Sequence, residues 1–288
     1  MNRIALRLLV LLGLLSVFGS IPHVQAQQIF GNGFETATLY AYDFGNKHLI
    51  SFRADAPATL LSDVALSGLG GGENLTGIDF RPANGLLYAV ASTGTVARVV
   101  NVSTSSGAVT PVSAVTFAAL SGFFFGLDFN PTVDRIRYVS DLDVNQRINP
   151  DDGALILADT FLAYLAGDPN AAANPSVVHV AYTSDATPTT TLYAIDSTTD
   201  ALVRIGGVGG SPSPNSGELT TVGALGVSIA SAGGFDVQKY ATSGYAALRV
   251  SGVSNLYAIN LSTGAAALVG AIGPVGSALT IDGLAIAP

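Results

Sequence analysis

The chain has no cysteine and no tryptophan, a single methionine, and only 12 basic side chains against 20 acidic ones in 288 residues. Without cysteine there are no disulfides, no thiol nucleophile, no iron–sulfur cluster and no cysteine–zinc site. His48 and His179 are the only histidines after residue 26, so a three-histidine metal centre is excluded as well. Long apolar runs are missing beyond the first segment. No later stretch reaches about 18 uninterrupted apolar residues, so no membrane span is expected there.

That first segment has its own signature. Arg3 and Arg7 precede an apolar stretch from Leu8 to Phe18, and Val24-Gln25-Ala26 ends in a small residue suited to cleavage. Residues 1–26 read as a signal peptide cleaved after Ala26, which places the protein in the periplasm or outside the cell. Residues 27–37, with Gln28-Ile29-Phe30-Gly31-Asn32-Gly33, read as a flexible leader. Cleavage removes two arginines and no acid, leaving ten basic against 20 acidic side chains and a net charge of −10. Such a surface repels nucleic acid and anionic lipid.

What is present is a repeat. Tyr40, Tyr88, Tyr138, Tyr193 and Tyr245 each sit in a short apolar strand pattern, and successive steps are 48, 50, 55 and 52 residues. Periods near 40–50 residues built from short strands indicate propeller blades. Gly77-Ile78-Asp79-Phe80, Leu86 to Val90, Thr95 to Asn101 and Ala108 to Val112 give four strands of one unit, separated by Asn-, Pro- and Gly-rich turns. Gly126-Leu127-Asp128-Phe129 opens the next unit, with a fourth strand expected at 154–157. The C-terminus supplies one extra inner strand at 283–286, and the N-terminus supplies three strands before the second unit. The expected fold is an all-β, five-bladed β-propeller of four-stranded antiparallel blades. Its ring closes by the C-terminal strand joining the N-terminal blade, and six blades is the alternative. Residues 38–288 form this single domain. Helical periodicity is sustained nowhere, although Thr160 to Leu165 suits a single helical turn.

Gly126-Leu127-Asp128-Phe129-Asn130-Pro131-Thr132-Val133-Asp134-Arg135-Ile136-Arg137, followed by Asn145-Gln146-Arg147-Ile148-Asn149-Pro150, resembles the core of the domain-of-unknown-function family 4394 (DUF4394). Gly167-Asp168-Pro169-Asn170, Asn174-Pro175-Ser176-Val177 and Leu261-Ser262-Thr263-Gly264-Ala265 fit the same resemblance. It implies an exported, mostly bacterial propeller domain without an assigned reaction.

Two groups of polar residues stand out. Propeller geometry brings the loop at 140–145 beside the link at 167–175, so Asp141, Asp143, Asn145, Asp168, Asn170 and Asn174 form the candidate ligand-binding set. Their oxygens suit a sugar or a hard cation such as calcium, the one cofactor these residues suggest. Asp141-x-Asp143-x-Asn145 matches the start of an EF-hand loop, but Gln146 stands where glycine is required. Solvated turns capping their own backbone explain the same residues. Asp79, Asp128 and Asp236 recur on successive inner strands as channel carboxylates. A repeated buried carboxylate suits a tie to the neighbouring blade's backbone better than an asymmetric reaction.

Arg135, Arg137 and Arg147 read as ion-paired with Asp134, Asp151 or Asp152. No Gly-x-Ser-x-Gly elbow occurs, the Gly68 to Gly72 run lacks the lysine of a phosphate loop, and 206–217 reads as a flexible excursion. The resulting functional expectation is a non-catalytic, monomeric module binding an extracellular ligand or protein. The alternatives are an extracellular hydrolase or lyase acting on a carbohydrate or lactone through channel carboxylates, with or without calcium, and a surface structural component.

Overall fold

The computed structural model of the protein describes residues 37–156, 159–184 and 189–288. The segment expected to be a signal peptide, and all of the leader except Ala37, lie outside the described residues.

Among the described residues, twenty-one strands form five sheets. Blade 1 holds β1 (Thr38–Asp43), β2 (His48–Arg53) and β3 (Ala56–Ala65). Blade 2 holds β4 (Asn74–Phe80), β5 (Leu87–Ser92), β6 (Val96–Val102), β7 (Val109–Pro111) and β8 (Phe117–Ala118). Blade 3, among the described residues, holds β9 (Phe125–Asn130), β10 (Arg135–Ser140) and β11 (Asn145–Ile148). After β12 (Ala163–Tyr164), blade 4 runs through β13 (Val177–Tyr182), β14 (Leu192–Asp196), β15 (Ala201–Ile205) and β16 (Glu218–Ala224). Blade 5 holds β17 (Ala230–Asp236), β18 (Ser243–Val250), β19 (Val253–Asn260) and β20 (Ala266–Ala271). The last strand, β21 (Ile281–Ile286), pairs antiparallel with β1 and becomes the inner strand of blade 1. Inner strands β21, β4, β9, β13 and β17 follow one another around a central channel. The ring is a five-bladed propeller, closed as the sequence implied. Six blades are excluded.

Each sheet is sandwiched between two others, so its strands are apolar on both faces. Leu87-Tyr88-Ala89-Val90-Ala91 is buried without alternation for this reason. Five apolar clusters fill the five blade interfaces. Tyr245, Leu256, Phe52 and Leu284 pack between blades 5 and 1, and Tyr88, Val99, Phe129 and Tyr138 between blades 2 and 3. No helix among the described residues is long and apolar enough to cross a membrane.

Three local expectations change. Blade 3 lacks a fourth strand among the described residues: a single bridge joins Leu155 to Ile148. Residues 160–165 do not form a helical turn. Ala163 and Leu165 instead donate to Gly217 and Leu219 carbonyls, because the exposed edge of β16 offers unpaired backbone partners. The excursion at 206–217 is built rather than loose. It contains two one-turn 3-10 helices, Val208–Gly210 and Pro214–Ser216, the second capped by the Ser213 side chain.

The tyrosine repeat is also one residue out of register in blade 3. Tyr40, Tyr88, Tyr193 and Tyr245 each pair across the inner strand with the same channel position, occupied by Ala285, Asp79, Ala181 and Asp236. In blade 3 that partner of Asp128 is Arg137, and Tyr138 pairs with Leu127. A one-residue offset moves a side chain to the other face of its sheet. Tyr138 therefore packs toward blade 2 and Arg137 faces blade 4.

Candidate functional site

Five equivalent channel positions carry Ala285, Asp79, Asp128, Ala181 and Asp236 in blades 1 to 5. The three carboxylates are buried, and each offers an oxygen within 4.8 Å of the others. Inner-strand glycines permit this closeness. A Cβ at Gly77 would lie 2.7 Å from Leu127 Cβ, and one at Gly126 would lie 2.9 Å from His179 Cα. Blade 4 breaks the glycine pattern with His179, whose ring fills the channel one layer away, and burial pushes its pKa down to about 3.

The residue after each channel position presents a backbone N–H to the cluster. Asp79 Oδ2 accepts from Phe129 of blade 3 at 2.8 Å, and Asp128 Oδ2 accepts from Tyr182 of blade 4 at 2.9 Å. Asp236 Oδ2 accepts from Ile286 of blade 1 at 2.6 Å. Where the preceding blade has alanine instead, the aspartate takes its own successor: Phe80 N donates to Asp79 Oδ1 and Val237 N to Asp236 Oδ1. Three side chains thereby satisfy one donor from every blade, which would otherwise be a costly buried N–H. Among the described residues, Asp128 Oδ1 is the one oxygen of the three carboxyls with no backbone donor.

Three buried carboxylates this close cannot all be ionised at neutral pH. Burial, then the charge of Asp236, raises Asp79 well above the ordinary range. Burial, then the charges of Asp79 and Asp236, does the same to Asp128. Burial pushes Asp236 up to about 6, against the pull of its two N–H donors. The Asp79 and Asp128 carboxyls act directly on each other, so the pair keeps a proton to higher pH than an isolated carboxyl would.

The cluster forms the floor of a cavity of about 360 Å³. Phe80, Phe129, Tyr182, Val237 and Ile286 wall it, and Pro82, Pro131, Pro288 and Lys239 rim it. It opens on the face that carries the turns between first and second strands. Arg81 at its edge is committed elsewhere, forked onto Asp134 at 2.9 and 2.5 Å and paired with Asp151 at 2.7 Å.

The loop residues singled out from the sequence lie toward the opposite face, each engaged with nearby groups. Asp141 Oδ1 caps Phe123 and Phe124 N–H groups. Asp143 bonds to Asn174, and its pKa is raised by burial and then by Asp196. Asn145 is buried between Arg137, Thr160 O and Pro214 O. Asp168 accepts from Thr221 N and Oγ1, and Asn170 donates to Thr221 Oγ1. Asp152 caps Ala154, apart from these groups. An EF-hand arrangement is therefore not formed. The central carboxylates have the hard oxygen chemistry a divalent cation uses, although backbone donors already engage five of their six oxygens.

A family profile described as "Domain of unknown function (DUF4394)" matches residues 48–285. The chain belongs to this family. Solved structures similar to this DUF4394 protein share its fold. A chain from a nidogen/laminin complex aligns with a TM-score of 0.51 at 11% identity, covering 88% of this chain and 98% of that one. A protein of unknown function from Bacteroides thetaiotaomicron aligns with a TM-score of 0.51 at 16% identity, covering 88% of this chain and 66% of that one. At these identities the likeness extends to the fold alone. Among curated proteins, none matches the sequence significantly.

Proposed function

We propose that this DUF4394 protein is an exported, non-catalytic propeller that binds a small polar ligand in the acidic well on its turn face. The observation that carries the reading is three buried carboxyl groups converging at the floor of a cavity lined also by Phe80, Phe129, Val237 and Ile286. The ligand presents a cation or N–H and O–H donors to Asp128 Oδ1 and apolar surface to Phe80, Phe129 and Ile286. The engagement of the other oxygens with backbone favours binding over turnover, because carboxylates fixed this way have little freedom to exchange protons with a substrate. The apolar segment at 8–18 supports export.

The test is thermal melting with calcium, with chelator, and with glucosamine as an amine-bearing probe, comparing the wild type with Asp128→Asn. A ligand-dependent rise abolished by Asp128→Asn supports the well. A rise that survives the substitution, or none with any probe, removes it.

A second reading rests on the closeness of Asp79 and Asp128, whose pKa values burial and neighbouring carboxylates raise. A carboxyl kept protonated at neutral pH can act as a general acid, as in paired-acid hydrolases. Turnover of glycosides, lactones or esters that is lost in Asp128→Asn would replace the binding-only reading with this one.

A further inference from the structure

A second cavity, of about 410 Å³, lies on the same face between blades 3 and 4. It sits where blade 3 departs from the repeat. Four blades place tyrosine opposite the channel position, and blade 3 places Arg137 there, with Arg147 as its cross-strand partner. Arg135, two residues along β10, shares that sheet face. Three guanidinium groups thus stand side by side in a chain with only 12 basic residues.

Their countercharge is incomplete. The acids nearest in sequence go elsewhere, since Asp134 and Asp151 both pair with Arg81. Among the described residues Asp159 is the carboxylate that ion-pairs with the group, bonding Arg137 Nη1 at 2.6 Å and Arg147 at 2.9 and 2.8 Å. Like charges adjacent on a sheet face are destabilising unless neutralised. Arg135 also acts on the Asp134 carboxylate, which Arg81 already holds, so the three cations face one carboxylate of their own and a share of a second.

The donor count separates the roles. Arg137 is buried and bonds Tyr182 Oη, Asn145 Oδ1, Asp159 Oδ2 and Asn215 Oδ1, which engages four of its five N–H donors. Arg147 gives two to Asp159, and Arg135 gives one to the Asp134 carbonyl and joins no ion pair among the described residues. Arg135 and Arg147 are partly exposed and line the cavity with Asn130, Thr132 and Thr190. Planar forks with free N–H groups match oxyanions, and the surrounding amide and hydroxyl groups match a hydroxylated body.

We propose that the cleft between blades 3 and 4 binds a small hydroxyl-bearing oxyanion, of the acidic-sugar class, through Arg135 and Arg147. Asp159, itself held by Arg137, keeps Arg147 in place. The site is independent of the central well and of any cation there.

The test is thermal melting and calorimetric titration with D-glucuronate, glucose 6-phosphate and D-glucose at matched ionic strength. At ten times its dissociation constant an acidic sugar should raise the melting temperature by about 3 °C, and D-glucose should leave it unchanged. The larger response of the two acids identifies carboxylate or phosphate as the oxyanion. Arg135→Gln, which breaks no ion pair, should melt like the unliganded wild type and lose affinity at least about tenfold, in line with one charge-assisted contact. Added salt should weaken binding in the wild type. No response to either acid, an equal response to D-glucose, or undiminished affinity in Arg135→Gln would overturn the proposal.

Discussion

The Asp236 carboxylate accepts the Ile286 N–H at 2.6 Å, so a side chain of blade 5 holds the strand that closes the ring. The same carboxylate accepts from Val237 at 2.6 Å. Replacing it by alanine leaves two buried donors unmet, at about 1–3 kcal/mol each. Asp236→Ala should therefore lower stability by about 2–5 kcal/mol in urea unfolding. Asp236→Asn keeps an acceptor and sheds a charge from the cluster, so it should cost less than half as much. Equal losses in the two variants would mean that the bonds to the closing strand do not matter.

Burial pushes the Asp282 carboxyl up to about 7, far above its unfolded range. The folded protein then holds a proton that the unfolded chain releases near pH 4. Stability from this group is full below about pH 4 and is lost as pH rises toward 7. His179 works the other way. With its folded pKa near 3, its contribution is present above about pH 6.5 and is lost as pH falls through 3. The two offset each other between about pH 4 and 6.5, and Asp79, Asp128 and Asp236, which are raised as well, make wild-type stability fall as pH rises there. Asp282→Asn removes one of these falling contributions. It should match the wild type at about pH 4 and exceed it by on the order of 2–4 kcal/mol above pH 7. A difference independent of pH would show that Asp282 does not titrate in this window.

The blade count was legible because glycine, an apolar residue and aspartate recur at the same place in Gly77-Ile78-Asp79 and Gly126-Leu127-Asp128. Buried strands of this kind need both faces apolar, which local sequence records. The one-residue offset of Tyr138 was not legible, since Arg137 and Tyr138 are adjacent and only cross-strand pairing decides which faces blade 4. The convergence of Asp79, Asp128 and Asp236 depends on how narrow the channel is, and that follows from backbone approach rather than from any one motif. Asp141 and Asp168, by contrast, looked like ligands but are taken up by nearby N–H groups. Short polar side chains in turns commonly do this. The missing countercharge of the arginines was hidden too, because Asp134 lies next to Arg135 in sequence but reaches Arg81 in space.

Gly234 marks where blades 5 and 1 meet most closely. A Cβ there would collide with the Leu284 backbone N and lie 2.7 Å from Gly283 C. Neither neighbour is the end of a flexible side chain, so the inner strands must separate. Gly234→Ala should cost more than about 3 kcal/mol or prevent folding. Gly71→Ala is the control, since nothing lies within 4 Å of its Cβ. Similar melting temperatures for both variants would show that the channel can widen freely.

Arg137 and Asp159 form an ion pair whose side chains are only 3% and 4% exposed. Removing one partner of such a pair leaves the other charge in a poorly solvated site, at about 3–5 kcal/mol. Asp159→Asn should fall in that range by urea unfolding, because Asn145 and Asn215 still accept from Arg137 but carry no charge. Removing both charges in Asp159→Asn with Arg137→Leu should recover much of the loss, since no buried ion remains. The recovery should come without restored anion affinity, because Arg147 loses its Asp159 anchor in either variant. A double variant as unstable as the sum of its single variants would instead assign the cost to lost packing, with the two charges acting independently.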